Sequence, residues 1–124
     1  MSPGFRRVIP ELPVKDVDAA LAYYQDVLGY SIRGRHVSES GQVIFGSVLR
    51  DTVNFYLAKS PEAFNPSRCS VLVDGVDDLC PAFEAQGARI LEQPEDKPWG
   101  YRQFTLEDLN GHIFYYFRFS NGVE

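Results

Sequence analysis

The chain nearly repeats itself, and that constrains it more than any single residue does. Leu12-Pro13-Val14-Lys15-Asp16-Val17-Asp18 reappears as Leu72-Val73-Asp74-Gly75-Val76-Asp77, with Val14, Val17 and Asp18 falling on Val73, Val76 and Asp77 at a constant spacing of 59 positions (73 − 14). Tyr24 matches Phe83 at the same spacing. The first copy then stops at Gly29-Tyr30-Ser31-Ile32 and the second at Gly87-Ala88-Arg89-Ile90, a slip of one residue. Each copy closes on an apolar hairpin, Leu49-Arg50-Asp51-Thr52-Val53 in one and Leu106 to Ile113 in the other. Two copies are too few for a solenoid, so the halves must bury their faces against each other or against a second chain and leave a shared concavity. Function is expected where halves meet.

A chain of 124 residues is long enough to bury roughly two-thirds of its unfolded surface without disulfides or metal staples. Cys69 and Cys80 fall in a predicted strand and a predicted helix, which reads as a pair of buried structural thiols in a reducing compartment. Met1 to Arg7 shows no apolar run behind its charges, and no stretch approaches the ~18 apolar residues of a membrane span. The expected location is cytoplasmic, with no membrane partner. A net charge of −5 argues against nucleic acid, whose binders carry a basic face, and would suit a cationic small ligand. Nine Phe, seven Tyr and one Trp exceed what a core of this size needs, leaving rings to line a pocket.

The pattern predicts strands over Val8–Val14, Tyr30–His36, Gln42–Leu49 and Val53–Ala58. Between the first two lies a helix with Asp16 as N-cap, Val17, Ala20, Leu21, Tyr24, Val27 and Leu28 at helical spacing, and Gly29 as its stop. The first module is βαβββ, over about 6–60. Residues 59–67, with Pro61 and Pro66, read as the connector. The second module, about 67–120, repeats the order: strand Cys69–Val73, helix Asp77–Gln86 with Pro81 near its first turn, a short strand Arg89–Glu92, then Tyr101–Leu106 and Ile113–Phe119. Glu92 to Lys97 reads as a solvated loop, Asp74, Asp77 and Asp78 as a loop and helix cap. The fold class is α+β: two tandem βαβββ modules in one domain, forming a concave mixed sheet with flanking helices.

The opening Leu12 to Tyr24 with Leu28-Gly29-Tyr30, together with Pro98-Trp99-Gly100 and Asp108-Leu109-Asn110-Gly111-His112, resembles the vicinal oxygen chelate superfamily, and within it the bleomycin resistance proteins. The resemblance covers the whole chain. It implies a homodimer with each cleft built at the interface, and in the superfamily's enzymes two metal ligands from each half. Carried over, those positions fall on Ile9, Phe55, Arg68 and Tyr115. Ile and Phe cannot coordinate, Arg brings a fixed positive charge, and Tyr could bind only when deprotonated. His36 and His112 fall in a strand and a turn, where His112 reads as a solvated surface group. No metal and no other cofactor are expected.

In place of a metal, Phe55 and Tyr115 are expected to face the concavity with Arg68 beside them. A guanidinium there must find a neighbouring acid or a group of the ligand. Trp99 lies in the polar loop after Glu95-Asp96-Lys97-Pro98, where it reads as a stacking platform. Phe45 and His36 complete the candidate ligand-binding set, with Tyr23 left to packing and no catalytic residue assigned. The reading is a metal-free protein that holds a planar, aromatic natural product or antibiotic, cationic or neutral. Two alternatives stay open: an enzyme of the same fold acting on a small carbonyl compound through Tyr115, His36 or Glu39, and a subunit that binds another protein.

Overall fold

The computed structural model describes residues 2–120. Its elements run β1 (Glu11–Val14), α1 (Val17–Asp26), β2 (Ser31–Val37), β3 (Val43–Arg50), β4 (Val53–Lys59), β5 (Arg68–Leu72), α2 (Val76–Ala85), β6 (Arg89–Asp96), β7 (Tyr101–Glu107) and β8 (Ile113–Phe119). The expected βαβββ order thus occurs twice. The strands form two four-stranded sheets rather than one, in the orders β1-β4-β3-β2 and β5-β8-β7-β6. In each, the first strand of the module lies parallel to its last and the rest are antiparallel. No helix among the described residues is long and apolar enough to cross a membrane.

Local chemistry sets the element ends. The Asp16 carboxylate accepts a hydrogen bond from the Ala19 N–H at 2.9 Å, satisfying one of the free donors at the start of α1. Its buried stripe is Val17, Ala20, Leu21 and Tyr24. Past its end Gly29 turns the chain at φ +73°, a conformation glycine adopts without steric cost. α1 sits so close to its sheet that a Cβ on Gly46 of β3 would meet Leu21 at 2.8 Å.

Three expectations shift. The first strand pairs only from Glu11, so Val8 to Pro10 lie outside it. The stretch read as a solvated loop extends β6 through Asp96, with irregular register between Ile90 and Glu95 that accommodates Pro94. Pro81 is the sixth residue of α2 rather than part of its first turn. It faces solvent there, leaving the Asp77 carbonyl without its helical donor.

The core is shared. Val48, Phe55 and Leu57 on the α1 side of the first sheet and Phe104, Phe114 and Tyr116 on the α2 side of the second belong to one buried cluster. Phe55 and Phe114 meet edge to face with centroids 5.3 Å apart, and Tyr24 packs on both. Each ring buried this way stabilises the fold by roughly 1.5–3 kcal/mol. Because the helix-covered faces of both sheets turn toward this cluster, their opposite faces turn away from it.

Candidate functional site: two open sheet faces

Strand pairing settles which side chains share the open faces, since directly opposed residues point the same way. On the first sheet Ser47 stands opposite Tyr56 and Leu49 opposite Asn54, His36 stands opposite Phe45, and Glu11 lies beside Tyr56. Phe45 and Tyr56 pack at 4.9 Å between centroids, and the Asn54 amide donates to Ser47 Oγ at 3.0 Å. Phe45 and His36 are therefore on this face. Phe55 is not: it is 2 % exposed and packed among Tyr24, Tyr30 and Phe114.

That correction has a simple cause. The repeat equates Glu11 with Ser70; the ladders put Tyr56 beside Glu11 and Tyr115 beside Ser70. The counterpart of Tyr115 is thus Tyr56, and counting to Phe55 slips the register by one residue, which reverses the face. The alternation of Val53, Phe55 and Leu57 against Asn54, Tyr56 and Ala58 carried the missed signal.

On the second sheet Tyr115 stands opposite Thr105, Phe117 opposite Gln103 and Phe119 opposite Tyr101. Tyr101 and Phe117 stack at 4.2 Å and an interplanar angle of 20°. Arg68 donates from Nη1 to the Tyr115 hydroxyl at 2.5 Å, and none of the ion pairs among the described residues includes it. The neighbouring acid that would neutralise it is not there, so its charge faces the open side. Thr105 Oγ1 donates to Glu92 at 2.9 Å, and Lys97 Nζ reaches Glu92 at 3.4 Å and Glu95 at 2.5 Å. This network ties β6 to β7 and to the turn between them. At its tip, ahead of Gly100 (φ +89°), Trp99 is 58 % exposed with Lys97 Nζ 5.7 Å from its ring centroid. Spacing along the chain does not reveal this network, because Thr105 on β7 meets Glu92 on β6 across the ladder.

His112 corrects another expectation. It is fully buried, not solvated: Nδ1 accepts from the Ser67 N–H at 2.9 Å, so Nε2 carries the proton and donates to the Pro13 carbonyl at 2.6 Å. Phe64 of the connector stacks on its ring at 5.5 Å. The turn that carries it joins the modules, with Asp108 accepting from the Tyr24 hydroxyl at 2.6 Å and Asn110 Oδ1 from the Lys15 N–H at 3.0 Å. Burial pushes the thiols of Cys69 and Cys80 up, away from the thiolate form a nucleophile needs. They are not paired as a disulfide.

The residues present do not fit a metal. At the register-corrected positions stand Ile9, Tyr56, Arg68 and Tyr115, and among the described residues no three His, Cys, Asp or Glu side chains cluster closely enough to hold an ion.

The sequence model of the Glyoxalase/Bleomycin resistance protein/Dioxygenase superfamily matches residues 7–116, and the chain belongs to that superfamily. Among solved structures, TioX from Micromonospora sp. ML1 superposes with a TM-score of 0.79 at 24% identity, covering 92% of this chain and 99% of that one. A bleomycin-binding protein crystallised with bleomycin gives 0.78 at 20% identity, covering 92% and 98%. A glyoxalase-related enzyme from Clostridium phytofermentans gives 0.79 at 20%, covering 94% and 97%. At these identities the likeness establishes the fold. No curated protein matches the sequence.

Proposed function

We propose that the protein binds a planar aromatic small molecule, without a metal, in a cleft formed when the first-module face of one copy meets the second-module face of another. The observation that carries this reading is the disposition of the faces: both are lined with rings, and both are turned away from the core that joins the modules. Neither covers the other within a chain. Phe5 and Val8, fully and 88 % exposed, add apolar surface near the start of the chain that a second copy would cover. The ligand would stack on Trp99 and on the Phe45–Tyr56 pair and be oriented by Arg68 and Tyr115, a mostly aromatic site with a few polar groups of the kind small-molecule sites use. Ile9, Tyr56, Arg68 and Tyr115 do not make a metal-ligand set, and the reading is one of holding rather than converting. The bleomycin complex of a fold neighbour supports the ligand class.

Trp99 is the only tryptophan, so its emission reports the site. Bleomycin, or the smaller planar cation acridine orange, should quench it saturably. Trp99→Ala should weaken binding followed by ligand fluorescence at least several-fold while leaving thermal stability nearly unchanged, since stacking contributes ~0.5–1.5 kcal/mol. Unquenched emission with both compounds, together with unfolding of Trp99→Ala, would make the indole a structural element and remove the basis of this reading.

A further inference from the structure

The repeat predicts that the two ends of the module interface should be built alike, and they are not. At one end the five-residue turn Asp108–His112 between β7 and β8 fills the space between the modules, and its Asp108 carboxylate receives the buried Tyr24 hydroxyl. At the other end the corresponding turn between β3 and β4 has two residues, Asp51 and Thr52. It falls short, and a groove of about 540 Å³ remains, lined by Tyr30, Arg50, Val73, Leu79, Phe83 and Tyr116 among others.

The floor of this groove has donors without acceptors. The Tyr30 and Tyr116 hydroxyls lie 3.2 Å apart, on residues 3% and 2% exposed. Two hydroxyls carry two hydrogens, and the bond between them uses one. The second has no acceptor among the described residues. Arg50 lies beside them: it donates one N–H to the Leu28 carbonyl at 2.8 Å, rests over the Phe83 ring at 5.8 Å, and enters none of the ion pairs among the described residues. The spare hydroxyl hydrogen is buried and needs an acceptor, and the exposed Arg50 guanidinium beside it keeps N–H groups that an anionic oxygen entering the groove would pair better than water does.

We propose that this groove is a second small-molecule site, separate from the open faces, and that it takes an apolar monocarboxylate whose carboxylate plays the part Asp108 plays at the other end. Val71, Val73, Leu79, Ala82 and Phe83 provide the apolar wall for the body of such an acid. Asp51, Asp74 and Asp78 stand exposed at the rim, where water screens them from a carboxylate at the floor but where the second charge of a dicarboxylate would meet them. A cation at the floor would stand against the Arg50 guanidinium and would be held only at this solvent-screened rim.

The test uses phenylacetate, with phenylacetamide and phenethylamine as the neutral and cationic isosteres, followed by amide shifts of the isotope-labelled full chain. Phenylacetate should move Tyr30, Val73, Leu79 and Phe83 saturably and bind more tightly than both isosteres. Arg50→Gln should weaken it at least about tenfold, Tyr30→Phe several-fold, as losing charge-assisted and neutral hydrogen bonds implies. Arg50→Lys, which keeps the charge and loses the fork, should fall between wild type and Arg50→Gln and decides the matter if Arg50→Gln does not fold. Trp99→Ala should leave phenylacetate binding unchanged, which separates failure here from failure of the open-face reading. Preference for phenethylamine, no saturable shift up to about 10 mM (an affinity below roughly 3 kcal/mol), or equal affinity in Arg50→Lys, Tyr30→Phe and wild type would overturn the proposal.

Discussion

The two ends of the module interface share a repeated backbone and differ by the length of one turn. Where the turn has five residues, Asp108 and His112 reach across to Tyr24 and Pro13 and lock the halves together. Where it has two, Arg50 and a pair of tyrosine hydroxyls face a groove. The comparison shows how a duplicated fold divides its labour: the same position is a structural clasp in one half and free for a ligand in the other, because a few turn residues decide whether buried donors find acceptors inside the chain.

The contrast predicts unequal sensitivity to mutation. His112→Ala removes two buried hydrogen bonds and a ring from the clasp, so it should destabilise by about 3 kcal/mol, read from denaturant midpoints; a change below about 1 kcal/mol would mean the turn does not join the modules. Tyr24→Phe leaves Asp108 Oδ2 without its donor, while Oδ1 keeps the Asn110 and His112 N–H groups, and should cost about 1–3 kcal/mol, whereas Tyr30→Phe at the open end, where one hydroxyl hydrogen is already unmatched, should cost less in the same assay. At the short turn Asp51 holds φ +52°. Asp51→Gly should stabilise slightly, by about 0.5 kcal/mol, by relieving left-handed strain; a loss of stability would show that the Asp51 side chain contributes to the turn.

The smallest expected effect concerns Asp18 and Asp77, equivalent in the repeat. Asp18 meets Arg35 through one contact at 3.2 Å, while Asp77 takes a fork from Arg102 at 2.8–3.0 Å. Hydrogen bonds from Arg102 hold the Asp77 carboxyl below the usual carboxylate range. A lowered folded-state pKa means that its contribution is complete above the unfolded carboxylate value of about 4 and fades as the pH falls below it. Wild type should lose slightly more stability than Asp77→Asn between about pH 5 and 2; identical profiles would show the pair to be too screened to matter.

Much of the fold could be read from the chain because its signals were local. The Asp16 cap, the stripe through Tyr24 and the Gly29 stop are each defined within a few residues, and the spacing of 59 transferred them to the second module. The open faces were harder. A count along the strand points to Phe55 rather than Tyr56, an error of one that reverses the side chain, and the β1–β4 ladder that fixes the register is a long-range pairing. His112 looked solvated because a turn is usually at the surface; its burial comes from the other module and from Phe64, neither of which is near it in sequence. The groove follows from a difference between two turns, visible in the sequence as three missing residues but meaningful only once both turns are seen to face the same interface.

The central claim, that the cleft is completed by a second copy, is tested most directly by mixing two broken proteins. Phe45→Ala with Tyr56→Ala removes the first-module platform, and Trp99→Ala with Tyr115→Ala removes the second; each variant alone should fold and bind bleomycin or acridine orange poorly, because both clefts of its dimer lack one wall. Mixed and allowed to exchange, they form dimers in which one cleft holds both defects and the other holds none. The account predicts that binding at wild-type affinity returns on mixing, at up to one site per mixed dimer. Variants that bind no better together than apart, while eluting together at twice the 14.0 kDa of one chain, would place the whole cleft within a single copy and contradict it.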